Sequence, residues 1–159
     1  MKRTPLKRKA WMKRGTKPMK KRATGDKSNP YSKYWRNKAD KLWSLLIRHG
    51  AKGYSERSGK RVGVDKLQAH HLINRDRYAT RYDRKNGIAL RAYEHTMGDG
   101  APHGKDSWKF VEWLQRSRPE TWAWMQKHQN DQTFGPFDFK AEYDRLCEEA
   151  REMGLEDLI

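Results

Sequence analysis

Positive charge is spread very unevenly along this chain, and that decides where a fold can form. Residues 1–28, MKRTPLKRKAWMKRGTKPMKKRATGDKS, hold twelve Lys or Arg against one acid. Leu6, Trp11, Met12 and Met19 recur there with no sustained period. Like charges repel and apolar area is scarce, so the segment is expected to be a disordered basic arm. It carries eleven of the sixteen net positive charges. Structure must come from residues 29–159, a length that suits one compact domain.

Only 35% of the chain is apolar, yet seven Trp and seven Tyr can still build a core. A balance of +16 points to a polyanionic partner, most often nucleic acid; a merely soluble basic protein is the bland alternative. The arm would supply affinity through counterion release, with a solubilising tail as its plainer role. The single cysteine, Cys147, excludes an intrachain disulfide and a Cys-based zinc site, and fits a reducing, cytoplasmic setting. No signal peptide is apparent, and no run approaches the roughly 20 apolar residues of a membrane span.

Periodicity gives a coarse map. NPYSKYWRNKADKLWSLLIRHG reads as a first helix, with Asn29 as cap, Pro30 in the first turn and Gly50 as stop. Tyr31, Trp35, Ala39, Leu42, Trp43 and Leu46 form its apolar stripe. AKGYSERSGKRVGVDK reads as a loop or irregular hairpin. LQAHHLI is a short strand, NRDRYATRYDRK a polar loop, and NGIAL a turn into a second strand, with Asn-Gly as a hairpin signal. RAYEHTM begins a short helix that GDGAPHG breaks. Three amphipathic helices follow: one capped by Asp106 or Ser107, one with Pro119 in its first turn, one capped by Asp138 and stopped by Gly154. Trp108, Trp113, Trp122 and Trp124 are expected in the core. His49 and His128 sit near helix ends as incidental residues.

Within this map, His70 and His71 stand side by side in QAHHLINR. Alone, such a pair is more often structural than catalytic. Read with Asn86 and His95, it changes meaning. The three positions His71, Asn86 and His95 fall on a strand, at the entry to a second strand, and at the start of a helix. This pattern resembles the HNH nuclease family and its ββα-metal motif. The stretch LQAHHLINRDRYATRYDRKNGIALRAYEHTM, followed by WKFVEWLQ, is similar to phage-encoded HNH proteins of the NinG/Rap kind. The likeness covers most of the chain and is strongest over 67–114.

The resemblance implies an α+β fold. A small ββα-metal core over 67–100 would be embedded in helical surroundings, with a helical part over 105–154. His71 would be the general base and Asn86 the brace that ties the loop and holds His71. His70 and His95 would bind one divalent metal, Mg²⁺, Mn²⁺, Ni²⁺ or Zn²⁺. Asp99, one turn beyond His95, is the preferred third ligand, with His103 in reserve. Many relatives carry two Cys-x-x-Cys pairs for a structural zinc. The corresponding places here read Ser55-Glu-Arg-Ser58 and Arg91-Ala-Tyr-Glu94, so no structural zinc is expected and packing or polar contacts of Arg91 and Glu94 would take over.

Phosphodiester cleavage needs an activated water, charge neutralisation on the phosphate, and help for the leaving oxygen. An imidazole near its pKa can take the water's proton, and a divalent metal can supply the other two. Arg75, Arg77, Arg81, Arg84 and Lys85 would grip the DNA backbone, as would Lys7, Arg8, Lys9, Lys20, Lys21 and Arg22 of the arm. One difficulty is geometric: neighbours on a regular strand point to opposite faces, so His70 and His71 serve one site only where the strand ends or bends. The expectation is a metal-dependent DNA endonuclease, acting on duplex or branched DNA, with a homodimer able to pair two nicks. A non-catalytic nucleic-acid-binding protein on a degenerate scaffold and a phage interaction module are the rivals.

Overall fold

The computed structural model describes residues 25–159. Lys7, Arg8, Lys9, Lys20, Lys21 and Arg22 lie outside the described residues, as does most of the segment expected to be disordered. Among the described residues, six α-helices surround a two-stranded antiparallel sheet, an α+β arrangement. No helix there is long and apolar enough to cross a membrane.

Helix α1 (Lys33–Gly50) buries Ala39, Leu42, Trp43, Leu46 and Ile47. It starts later than the Asn29–Pro30 pair suggests. That pair forms a turn: the Asn29 side chain accepts from Tyr31 N at 2.9 Å and its carbonyl from Ser32 N at 3.1 Å. Gly50 is the last helical residue rather than a left-handed stop, and Ala51 follows in the right-handed region. A Cβ at Gly50 would lie 2.7 Å from an Arg84 guanidinium nitrogen, the mobile end of a long side chain that can move aside. Helix α6 (Phe139–Glu152) packs along α1 through Leu146, Cys147 and Ala150. Its start is as read: the Asp138 carboxylate accepts from Ala141 N at 2.8 Å. Gly154, at φ 68°, follows its end.

Strands β1 (Leu67–His71) and β2 (Gly87–Arg91) pair in register from Leu67–Arg91 to His71–Gly87. Their alternation divides the core in two. Leu67, Ala69 and Ala89 join the α1–α6 cluster. Ile88 and Leu90, on the opposite face, pack with Phe110 of helix α4 (Ser107–Ser117). The polar stretch between the strands contains a one-turn helix, α2 (Tyr78–Arg81), so Asn86-Gly87 is not a two-residue hairpin turn. Gly87 has an ordinary φ of −111°. A Cβ there would come within 2.9 Å of Trp43 Cζ2 and overlap the Ile47 side chain, so glycine lets α1 lie against the sheet. Helix α3 (Ala92–Thr96) leaves β2 without a break.

The four tryptophans expected in the core divide. Trp113 packs partly buried against the α4-side cluster. Trp122 and Trp124, on helix α5 (Pro119–His128), are half-buried, and α5 buries no residue fully. Trp108 is 55% exposed and belongs to the surface.

Ser55, Ser58, Arg91 and Glu94 meet in one polar knot. Arg91 Nε and Nη2 donate to Glu94 at 2.9 and 2.7 Å, and Ser55 Oγ donates to its other oxygen. Burial opposes ionisation of Glu94, but the bonds from Arg91, Ser55 and Ser58 prevail and hold its carboxyl at about 2. The knot ties the 51–66 loop to the β2–α3 junction. Glu56 from the same loop covers the outer side of β2, its N–H donating to the Ala89 carbonyl and its carboxylate accepting from Ala89 N.

Glu94→Gln is expected to cost about 1–3 kcal/mol at neutral pH, read by denaturant unfolding. The folded carboxyl ionises below its ordinary 4.5, so its contribution is complete above about pH 4.5 and is lost as pH falls toward 2. The variant should lose that part of the acid dependence; equal stability of the two proteins at pH 7 would mean that the knot contributes nothing.

Candidate metal centre

The face of the sheet that meets α4 also carries Gln68 and His70, each paired across the strands with a buried leucine or isoleucine. His95 reaches this face from α3, and His103 from the loop after it. The three imidazoles converge. His70 Nδ1 lies 3.1 Å from His95 Nε2, and the His103 ring centroid is 5.0 and 4.8 Å from those of His70 and His95. One ligand nitrogen from each lies within 4.8 Å of the others. Three metal–nitrogen bonds of about 2.0–2.1 Å need separations of about 3–4 Å, so small side-chain rotations suffice.

Protonation favours the same use. Burial, then the neighbouring His95, His103 and His71, push His70 down to about 3. Burial and His103 also lower His95. Neutral rings offer lone pairs. Gln68 Oε1 sits 2.7 Å from His95 Nδ1 and accepts a hydrogen bond from its N–H, which leaves the lone pair on Nε2, the atom facing His70. Arg57 holds the loop that carries His103, donating to the Gly100 carbonyl at 2.7 Å and the Asp99 carbonyl at 3.0 Å.

Asp99, preferred from the sequence as third ligand, does not join the cluster. α3 ends at Thr96, before the turn that would bring position 99 over His95. The Asp99 carboxylate instead pairs with Lys109 at 2.6 Å on an exposed surface. The reserve residue, His103, lies in the cluster instead.

His71 faces the other way. Its ring stacks on Trp43 at 3.8 Å between centroids and 12° between planes. Its Nε2 is 3.0 Å from the Arg81 carbonyl. A carbonyl only accepts, so Nε2 carries the proton and the neutral ring keeps its lone pair on Nδ1. Burial lowers His71 to about 4, against the raising effect of that hydrogen bond. The strand therefore stays regular through His71, and His70 keeps its place beside His95. Both histidines nevertheless line one cavity of about 740 Å³ at the strand's end, together with His95, His103 and Arg75.

Asn86 is fully buried, and both its amide oxygen and its amide nitrogen are hydrogen-bonded. Oδ1 accepts from Ile73 N at 2.6 Å, and Nδ2 donates to the carbonyls of Ile73 and Thr80 at 3.2 and 3.0 Å. It thus fixes the segment whose next carbonyl, that of Arg81, orients His71.

Arg81 is not a phosphate grip. Its side chain is buried and forms a two-pronged pair with Asp40 at 2.9 and 2.8 Å. Arg84 is engaged by Glu149 at 3.3 Å. Arg75 is exposed at the cavity, Lys85 is exposed, and Arg77 is half-buried. His128 pairs with Asp131 at 2.7 Å, far from these groups in the chain, and His49 lies in the last turn of α1. Sequence reading missed four supporting residues: Trp43, Gln68, Arg57 and Asp40. Only Gln68 left a signal, since it lies two residues before His70 on the same strand face.

No family model, curated protein or solved structure matches the chain.

Zinc or nickel titration by calorimetry against a competing chelator checks the centre. His95→Ala and His103→Ala should each weaken binding more than tenfold, and Gln68→Ala by about 10–100-fold. Asp99→Ala should leave affinity unchanged; an equal loss there would restore the carboxylate as a ligand.

Proposed function

We propose that this chain is a metal-dependent DNA endonuclease that hydrolyses phosphodiesters at the cavity shared by His70, His71, His95 and His103. The observation that carries this reading is the convergence of three imidazoles, from β1, α3 and the following loop, beside a fourth with a defined tautomer. Two paired strands followed directly by a helix, β1, β2 and α3, with the one-turn α2 in the connection, support the resemblance to the ββα-metal nucleases read from the sequence.

The residues divide the work. His70, His95 and His103 would hold one divalent ion, which would neutralise the phosphate and the departing 3′ oxygen. His71 takes a proton from water through Nδ1, the only ring nitrogen with a lone pair. Trp43 and the Arg81 carbonyl fix the plane and tautomer of that ring. Asn86 is a positioning residue that never meets the substrate. Arg75, at the cavity, offers the phosphate a guanidinium. Imidazole donors suit Zn²⁺, Ni²⁺ and related ions better than Mg²⁺, which prefers carboxylate and water.

One observation favours a second reading, in which the ion only ties α3 and its loop to the sheet of a DNA-binding protein. His71 lies on the opposite strand face from the trio, stacked on Trp43.

Supercoiled plasmid incubated with Mg²⁺, Mn²⁺, Ni²⁺ and Zn²⁺ separates the two. Nicking is expected, fastest with a transition ion. His71→Ala should slow it by about 10²–10⁴-fold with DNA affinity kept. Absence of nicking with every ion, or full activity in the variant, rejects the hydrolytic role of His71.

A further inference from the structure

The cavity is larger and more apolar than ion and phosphate require. Its volume of about 740 Å³ lies in the range of about 300–1,000 Å³ typical of sites that enclose small organic groups. The imidazoles occupy one side. Pro102, Phe110, Val111, Leu114 and Met125 contribute an apolar wall, and Asn74 and Ser107 add polar groups. Arg75 is the one Lys or Arg among the lining residues, and no Asp or Glu is among them.

A phosphate or sugar gains nothing from an apolar wall. A stacked duplex cannot use it either, because each base face is covered by its neighbours. A base out of the stack fits both parts: its faces are apolar, and its edge carries donors and acceptors. The net charge of +16 brings DNA to the surface in the first place. We propose that this wall receives one unstacked nucleobase beside the scissile phosphate, so that the substrate is single-stranded or locally unpaired DNA. This rests on the reading of the imidazoles as a phosphodiesterase centre.

Binding tests it without relying on cleavage. The full chain is titrated into labelled oligothymidylate and into an oligomer of the same length with abasic spacers. Phosphate number and salt are identical, so the arm acts equally on both. Oligothymidylate should bind about tenfold more tightly. Val111→Gln and Met125→Gln, at partly exposed helix positions, make the wall polar without opening the core. Each should bring the ratio of the two affinities to within about twofold, while the spacer oligomer binds as to the parent. Circular dichroism confirms folding, and the two variants check each other.

A ratio near one in the parent, or a ratio unchanged in both variants, overturns the proposal. Cleavage of the oligothymidylate and of a matched duplex, with the best ion from the plasmid series, is then compared. If neither is cut while base-dependent binding and its loss persist, the base site stands and the hydrolytic reading falls. If both are cut at equal rates and the variants bind like the parent, the base site falls and the hydrolytic reading stands.

Discussion

The two-residue period of β1 sends His70 and His71 to opposite faces of the sheet, and the rest of the candidate centre is arranged around that division. His70 goes to the α3–α4 side, where His95 and His103 wait. His71 goes to the α1 side, onto Trp43. Neither face could hold all four rings without a break in the strand. The break comes just after His71, where the chain bends toward α2, and there the cavity touches both residues. Consecutive residues thus meet different environments and different hydrogen-bond partners. That is how one dipeptide presents one ring to the imidazole cluster and the other to Trp43.

Asn86 shows why a buried amide is retained in so small a domain. Its three side-chain bonds, with the bond from Leu72 N to its carbonyl, join the end of β1 to the start of β2 through α2. An apolar residue of similar size would leave the Ile73 and Thr80 groups unpaired, at about 1–3 kcal/mol each. The Arg81 carbonyl lies one peptide further on, so any slack in this segment would reach His71 directly. Asp40 and Trp43 close the same segment from α1: Asp40 through the Arg81 guanidinium and Tyr82 hydroxyl, Trp43 through an indole N–H to the Asp83 carbonyl at 3.1 Å. Breaking the Asp40–Arg81 pair would strand a charge whose side chain is only 7% exposed.

What could be read from the sequence follows from local rules. The apolar stripe of α1, the alternation in β1, the Asp138 cap and the short helix after β2 all depend on neighbours within a turn or a strand. The His70–His95 pairing came from a family resemblance, not from periodicity. Asp99 was favoured because position i+4 follows His95 on a helix face, but Gly98 and Gly100 flank it and the helix ends first. Arg81 looked like one more charge in a basic loop. Its partner, Asp40, is 41 residues upstream, and nothing local signals that pairing. Trp108 was taken for core because tryptophan usually is; the phase of α4 instead buries Phe110 and Leu114. Arg57 and Trp43 likewise reach the site only through tertiary packing.

The chemistry of the donor set sharpens the electrostatics. Three neutral imidazoles would leave a bound divalent ion its full charge, whereas each carboxylate ligand would cancel one unit of it. No Asp or Glu lines the cavity to do so from a distance, and Arg75 adds a further positive group. The low pKa values of His70 and His71 have the same consequence: neither ring competes with a cation by carrying its own charge near neutral pH. The carboxylate next to His95 in the chain, Glu94, is turned into the knot with Arg91 and Ser55 rather than toward that ring. Arg91 thus neutralises an acid that would otherwise weaken the attraction of the centre for a phosphate. The knot has two effects on one short segment: it anchors the start of α3, and it keeps negative charge away from the imidazole that α3 presents.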